Sequence, residues 1–254
     1  MNLRPARTFL EFISSFKQCI LGVENFLGKK GYHLEVVASL DFPPSEVDDL
    51  EAGMFGCKPE YCIYNKTEDG NIGRVTPPYM PEGSTFRSCG GHIHIGHPIA
   101  NIRLGGRPAN VVKLMDALVG VMAILLDKDP SSLPRRKLYG GAGSHRVTPY
   151  GVEYRTLSNF WLNNYGLANV IYKLTRLAVE YTLTRPDFID SFIEPLALQK
   201  LINTSNQKDA GQLYEDYKSM IPYDLQQEIE FCRASNGPVK ALYPNWAPVT
   251  AIAA

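Results

Sequence analysis

Gly90-Gly91-His92-Ile93-His94-Ile95-Gly96 is the stretch from which the rest of the chain can be organised. Successive side chains of a strand point to opposite faces, so His92 and His94 share one face and Ile93 and Ile95 the other. The isoleucines then bury against helices, and the imidazoles form a polar wall. Glycines on either side let a ligand or another backbone come close to it. Neutral imidazole ligates divalent metals and donates to phosphate oxygens. A half-exposed strand with solvated histidines has the same period, so this stretch alone leaves both readings open.

A second period-2 pair lies in Val152-Glu153-Tyr154-Arg155. It sets a carboxylate beside a guanidinium: glutamate is a hard oxygen ligand for magnesium, and arginine a planar fork for phosphate or carboxylate. A wet surface salt bridge is the alternative. Arg135-Arg136-Lys137, with Gly140, Gly141, Gly143, His145 and Arg146, reads as a basic, glycine-rich connection over 130–149. That connection could close on polyphosphate or be a solvated charged loop. It is not a Walker A loop. Arg87 adds a cation near the start of the histidine strand, and Glu60 adds an acid. An acid on one strand, histidines on another and an acid with an arginine on a third make the ligand set of an antiparallel sheet that carries magnesium and ATP. No GxSxG, HExxH, GxGxxG or kinase signature supports a rival class.

Outward from these strands, residues 8–27 repeat apolar side chains at three- and four-residue steps and predict a helix. A short strand is expected over 32–38, a helical turn over 45–50, and turn and strand over 55–64. A polar loop follows to Ser84, then a strand over 86–96. Residues 108–127 form the most apolar helix, expected at the centre of the core. The Glu153 strand spans 151–157, and helices are predicted over 161–184, 187–204, 208–219 and 223–235. A Pro- and Ala-rich tail over 238–254 reads as loose. The pattern is α+β, one domain over 1–254 with a helical C-terminal third.

Composition excludes other classes. Of 254 residues, 44% are hydrophobic and 20% charged, an ordinary globular balance. Lys plus Arg equals Asp plus Glu at 26 each, so there is no global basic field for a nucleic-acid partner. The longest strongly apolar run, 118–126, falls far short of the roughly 20 residues that span a bilayer, so no membrane partner is expected. Met1-Asn2-Leu3-Arg4-Pro5-Ala6 lacks the layout of a signal peptide, which predicts a cytoplasmic protein. Five cysteines without a CxxC pair read as buried free thiols.

Three blocks carry a resemblance. They are Phe55-Gly56-Cys57-Lys58-Pro59-Glu60-Tyr61, Phe86-Arg87-Ser88-Cys89-Gly90-Gly91-His92-Ile93-His94-Ile95-Gly96, and Arg136-Lys137-Leu138-Tyr139-Gly140-Gly141-Ala142-Gly143 running on through Arg146 to Gly151-Val152-Glu153-Tyr154-Arg155-Thr156-Leu157-Ser158-Asn159-Phe160-Trp161. The chain resembles the phage-type carboxylate–amine ligases (COOH–NH2 ligase type 2, amidoligases) of the glutamine synthetase-like superfamily over nearly its whole length. The resemblance implies an antiparallel sheet of the glutamine synthetase-like catalytic type packed by helices. It also implies ATP- and Mg2+-dependent joining of a carboxylate to an amine through an acyl-phosphate, on peptide-like substrates in a host cytoplasm. By this similarity Glu153 holds magnesium, with Glu60 and His92 as further metal candidates. Arg155 meets the transferring phosphoryl group. His92, His94, Arg136 and Lys137 contact ATP, Arg146 contacts phosphate, and Arg87 contacts phosphate or the substrate carboxylate. Relatives of this type begin with strands and an Asn-x-x-Pro-Ala turn, which Asn2 to Ala6 matches. That implies a chain starting inside the domain, short of edge strands and of one carboxylate. Two alternatives stand beside the ligase: an impaired relative that serves binding or assembly, and a histidine–carboxylate metal hydrolase.

Overall fold

Thr8 starts the first helix, α1 (Phe9–Gly28). Its hydroxyl accepts from the Glu11 amide at 3.2 Å, and Glu11 Oε2 accepts from the Thr8 amide at 3.3 Å. Two otherwise orphaned donors are thereby satisfied in a capping box. The face bearing Ile13, Phe16 and Ile20 is buried, as its spacing predicts. The computed structural model describes residues 3–48, 61–66, 68, 72–74, 84–97 and 108–235. Glu60 and Cys57, most of the expected polar loop before Ser84, and the tail over 238–254 lie outside the described residues.

The most apolar stretch forms a continuous rod: α2 (Pro108–Met115), a π-helical turn (Asp116–Gly120) and α3 (Val121–Leu126). Val111, Leu114, Leu118, Met122 and Leu126 are all fully buried, as an element apolar on every side must be. Ala109–Leu126 is long and apolar enough to cross a bilayer by length and composition, which the shorter run over 118–126 concealed. Burial of 83% of it inside the protein marks it as the core helix. Helix α5 (Tyr165–Thr184) packs against it and starts at Asn164, whose side chain accepts from the Leu167 amide at 2.9 Å.

A short helix, α4 (Ser132–Leu138), precedes the last strands, and α6 (Pro195–Asn203), α7 (Gln207–Tyr217) and α8 (Tyr223–Ser235) complete the helical last third. Strands β1 (Ser39–Asp41) and β4 (Phe86–Ser88) form a small antiparallel pair. The larger sheet is antiparallel in the order β3 (Ile72–Arg74), β2 (Tyr61–Lys66), β6 (Ser144–Thr148), β7 (Gly151–Tyr154), β5 (Ile93–Ile95).

Four local expectations change. The helix expected over 187–204 is broken: a 3-10 turn (Phe188–Ser191) precedes α6, which begins only at Pro195. Residues 32–38 are not a strand; pairing starts at Ser39. The strand expected over 86–96 is two, because the chain leaves the small sheet after Ser88 and joins the large one at Ile93. The crossing is pinned by its glycines. A Cβ on Gly91 would lie 2.4 Å from Trp161 Nε1 and 2.6 Å from the Ser158 carbonyl, so only glycine lets these backbones meet. The Gly91 amide donates to Leu157 at 3.1 Å, and Trp161 Nε1 donates to the Gly91 carbonyl at 3.2 Å. The basic connection over 130–149 is no flexible loop either. It is α4 followed by β6, which turns through Pro149 and Tyr150 into β7.

Candidate functional site

Cross-strand register builds the site. Glu153 on β7 lies opposite Arg146 on β6 and His94 on β5. The opposite face of β7 carries Val152 and Tyr154, which bury with Ile95 into the helical core. One strand thus turns an apolar side to the core rod and a polar side away from it, as its period-2 pattern requires.

Glu153 is itself buried, and cationic or imidazole donors surround it. Arg146 grips it with two bonds, Nε to Oε2 at 2.7 Å and Nη2 to Oε1 at 2.9 Å. Arg155 Nη1 donates to Oε1 at 2.9 Å, and His92 Nδ1 lies 2.9 Å from the same oxygen. Burial pushes the Glu153 carboxyl up, but hydrogen bonds from His92 and Arg146 and the charge of Arg155 override it and hold the group well below the usual carboxylate range. Burial is the largest cause lowering His92, with Arg155 adding to it and Glu153 opposing, so the imidazole sits below its ordinary value. The Glu153–Arg155 pair is therefore a buried ion pair and not a wet surface bridge. The side chains of Arg146 and His92 are 29% and 24% exposed, against 2% for Arg155, so Arg146 and His92 form the outward rim.

Two residues that the site assignment by resemblance left out complete it. Arg135 is fully buried, and its guanidinium donates to the carbonyls of Cys89, Thr156 (3.1 Å) and Leu157 (2.7 Å). Tyr139 places its hydroxyl 2.7 Å from His92 Nε2 and accepts from Arg155 Nη2. The sequence signal for both is Tyr139-Gly140. Gly140 sits at φ +71°, and a Cβ there would lie 2.6 Å from Arg135 Nη2, which only glycine avoids.

The other expected residues disperse. His94 is exposed and pairs with the Tyr150 hydroxyl. Arg136 follows Arg135 by about 100° around α4, so it points away, donating to the Ile202 carbonyl at 2.8 Å. Lys137 is exposed. Arg87 lies in the small sheet, its Nη1 donating to Ser84 and Phe86 carbonyls at 2.7 and 2.8 Å. Among the described residues no group of three or more His, Cys, Asp or Glu could hold a metal ion. With both Glu153 oxygens taken by N–H donors, the described arrangement fits an anion at its rim and does not build a cation site.

Residues 82–213 match the family model described as phage phiEco32-like COOH.NH2 ligase-type 2. That span is just over half of the 254 residues. The chain belongs to this family. No curated protein and no solved structure matches it. The span includes His92, Arg135, Tyr139, Arg146, Glu153 and Arg155, so the cluster lies wholly within the part that makes the chain a COOH.NH2 ligase family member, and the family points to carboxylate–amine ligation.

Behind the sheet, fully buried Asp116 begins the π-helical turn and accepts from Tyr154 Oη at 2.7 Å and Thr156 Oγ1 at 3.3 Å. The two neighbours of Arg155 are thus tied from the core side. Burial pushes the Asp116 carboxyl up to about 6, against the hydrogen bonds from Tyr154 and Thr156. A raised carboxyl binds its proton more tightly when folded, so its contribution to stability grows as pH falls through about 6 and is complete below the unfolded value of 3.8. Between pH 7 and pH 4 the wild type is expected to gain roughly 2 kcal/mol relative to Asp116→Asn. Urea unfolding of both proteins at each pH measures it, and comparison with the variant cancels the opposite acid loss from Glu153. Parallel profiles would show that Asp116 is not the group responsible.

Proposed function

We propose that this family member activates a substrate carboxylate with ATP and joins it to an amine, in a reaction supported by magnesium, and that its sheet is of the glutamine synthetase-like type. The observation that carries this reading is the Arg146 fork and His92 at the rim of a buried Glu153–Arg155 pair on one sheet face. Carboxylate activation places its developing charge on phosphoryl oxygens, and a preorganised guanidinium cluster in a low-dielectric wall is the environment that stabilises such charge. In the proposed reaction a carboxylate oxygen bonds the γ-phosphorus and ADP leaves. The amine nitrogen then bonds the acyl carbon, phosphate leaves with the C–O electron pair, and the amine gives up a proton. Arg146 would meet the phosphoryl oxygens with the guanidinium hydrogens it does not give to Glu153, and Glu153, with Arg155 and His92 bonded to it, would hold that guanidinium in place. Magnesium supplies counter-charge to the polyphosphate when bound; since the described donors do not build its site, no step is assigned to it.

The test is ADP and phosphate release by the full chain with Mg2+, ATP and a panel of amino acids and short peptides offered as both carboxylate and amine. Equimolar ADP and phosphate that depend on both partners are expected. Folded protein that releases neither across the panel would overturn the ligase reading in favour of a binding role.

A further inference from the structure

We propose that Tyr139 is a positioning residue, the pivot of a closed hydrogen-bonded ring through Arg155, Tyr139, His92 and Glu153 that holds the rim of the site in shape to receive a polyphosphate. The proposal rests on the anion-binding part of the function proposed above.

The direction of every bond in the ring follows from which groups can donate. A guanidinium only donates and an ionised carboxylate only accepts, so Arg155 gives one Nη hydrogen to Glu153 and the other to the Tyr139 oxygen. The imidazole atom facing Glu153, Nδ1 at 2.9 Å, must carry a hydrogen. In the neutral ring the other nitrogen is then an acceptor, and the Tyr139 O–H at 2.7 Å is the donor it meets. The circuit closes without two donors or two acceptors facing each other. It also selects one tautomer of His92 and holds Arg155 at both ends of its fork.

Packing stiffens the pivot. The Tyr139 ring centroid lies 5.2 Å from the Arg135 guanidinium and 5.0 Å from that of Arg155, so cations flank the ring. Arg135 cannot drift, because three backbone carbonyls hold it. Loss of the Tyr139 hydroxyl removes one tether from His92 and one from Arg155. Both share Glu153 Oε1 with Arg146 Nη2, so the looseness reaches the Arg146 fork at the rim.

Two readouts that need no turnover test this on the full chain. In 15N-edited NMR, wild-type His92 should show the Nδ1–H tautomer, and Tyr139→Phe should move its Nε2 resonance by the loss of a hydrogen-bond donor. By calorimetry with inorganic triphosphate, Tyr139→Phe should bind about tenfold more weakly than wild type. Tyr139→Leu, which also removes the flanked ring, should bind more weakly still. Thermal melting confirms that each variant is folded. Unchanged Nε2 resonance or unchanged triphosphate affinity in Tyr139→Phe overturns the proposal, as does a Leu variant that binds as well as the Phe variant. Wild type that binds triphosphate but ligates nothing refutes the ligase reading and leaves the role of Tyr139 standing.

Discussion

Glu153→Ala should lower the unfolding free energy by about 3–5 kcal/mol, because it leaves the guanidinium of Arg155 buried without its carboxylate. Arg155 is 2% exposed, so water cannot replace the lost acceptor. Ligase turnover should fall at least about a hundredfold in any molecules that remain folded, the scale of losing a preorganised charge in the transition state. Glu153→Gln keeps the volume and one acceptor oxygen and should be milder in stability, while still losing the charge that orients Arg146. Denaturant titration together with ADP release distinguishes the two effects. A folded Glu153→Ala protein with wild-type stability and turnover would remove this ion pair from both the fold and the mechanism.

Gly151→Ala carries the second large effect. Gly151 has φ +153°, and a Cβ there would stand 2.0 Å from the Ile95 carbonyl oxygen. Backbone strain and collision act together, so a loss of about 3 kcal/mol or more is expected. Strand β5 would have to move away from β7, carrying the adjoining His92 away from Glu153. The variant should therefore show lower thermal stability and weakened triphosphate binding at once. A variant that melts with wild type would mean that the β5–β7 edge tolerates displacement.

Much of this was legible in periodicity. Ile95 is buried and Ile93 packs on the core because residues two apart share a face, and the same rule set Glu153 beside Arg155. The core helix over 108–127 and the helices of the last third announced themselves by apolar spacing. The π-helical turn at Asp116 leaves no such mark, since it shifts hydrogen-bond partners without changing which residues are apolar. Within 86–96, strand propensity ran through the glycine pair, whereas the break depends on Trp161 and Arg135, far away in sequence. Charge misled at Arg135. A basic run beside glycines suggests a solvated loop, and only three convergent carbonyls allow a guanidinium to be buried. Tyr139 was hidden for a related reason: what it does depends on neighbours supplied by other strands.

The hold of Arg135 on Cys89, Thr156 and Leu157 bears on the order in which the molecule can fold. Those carbonyls lie 46, 21 and 22 residues away along the chain, and a guanidinium keeps its water until all of them have arrived. Dehydration of Arg135 therefore belongs late on the folding path, after the strands on either side have docked. A half-assembled intermediate would expose either a solvated arginine or orphaned carbonyls, and neither lowers its free energy. The proposed anion site and the tertiary fold should thus be gained and lost together.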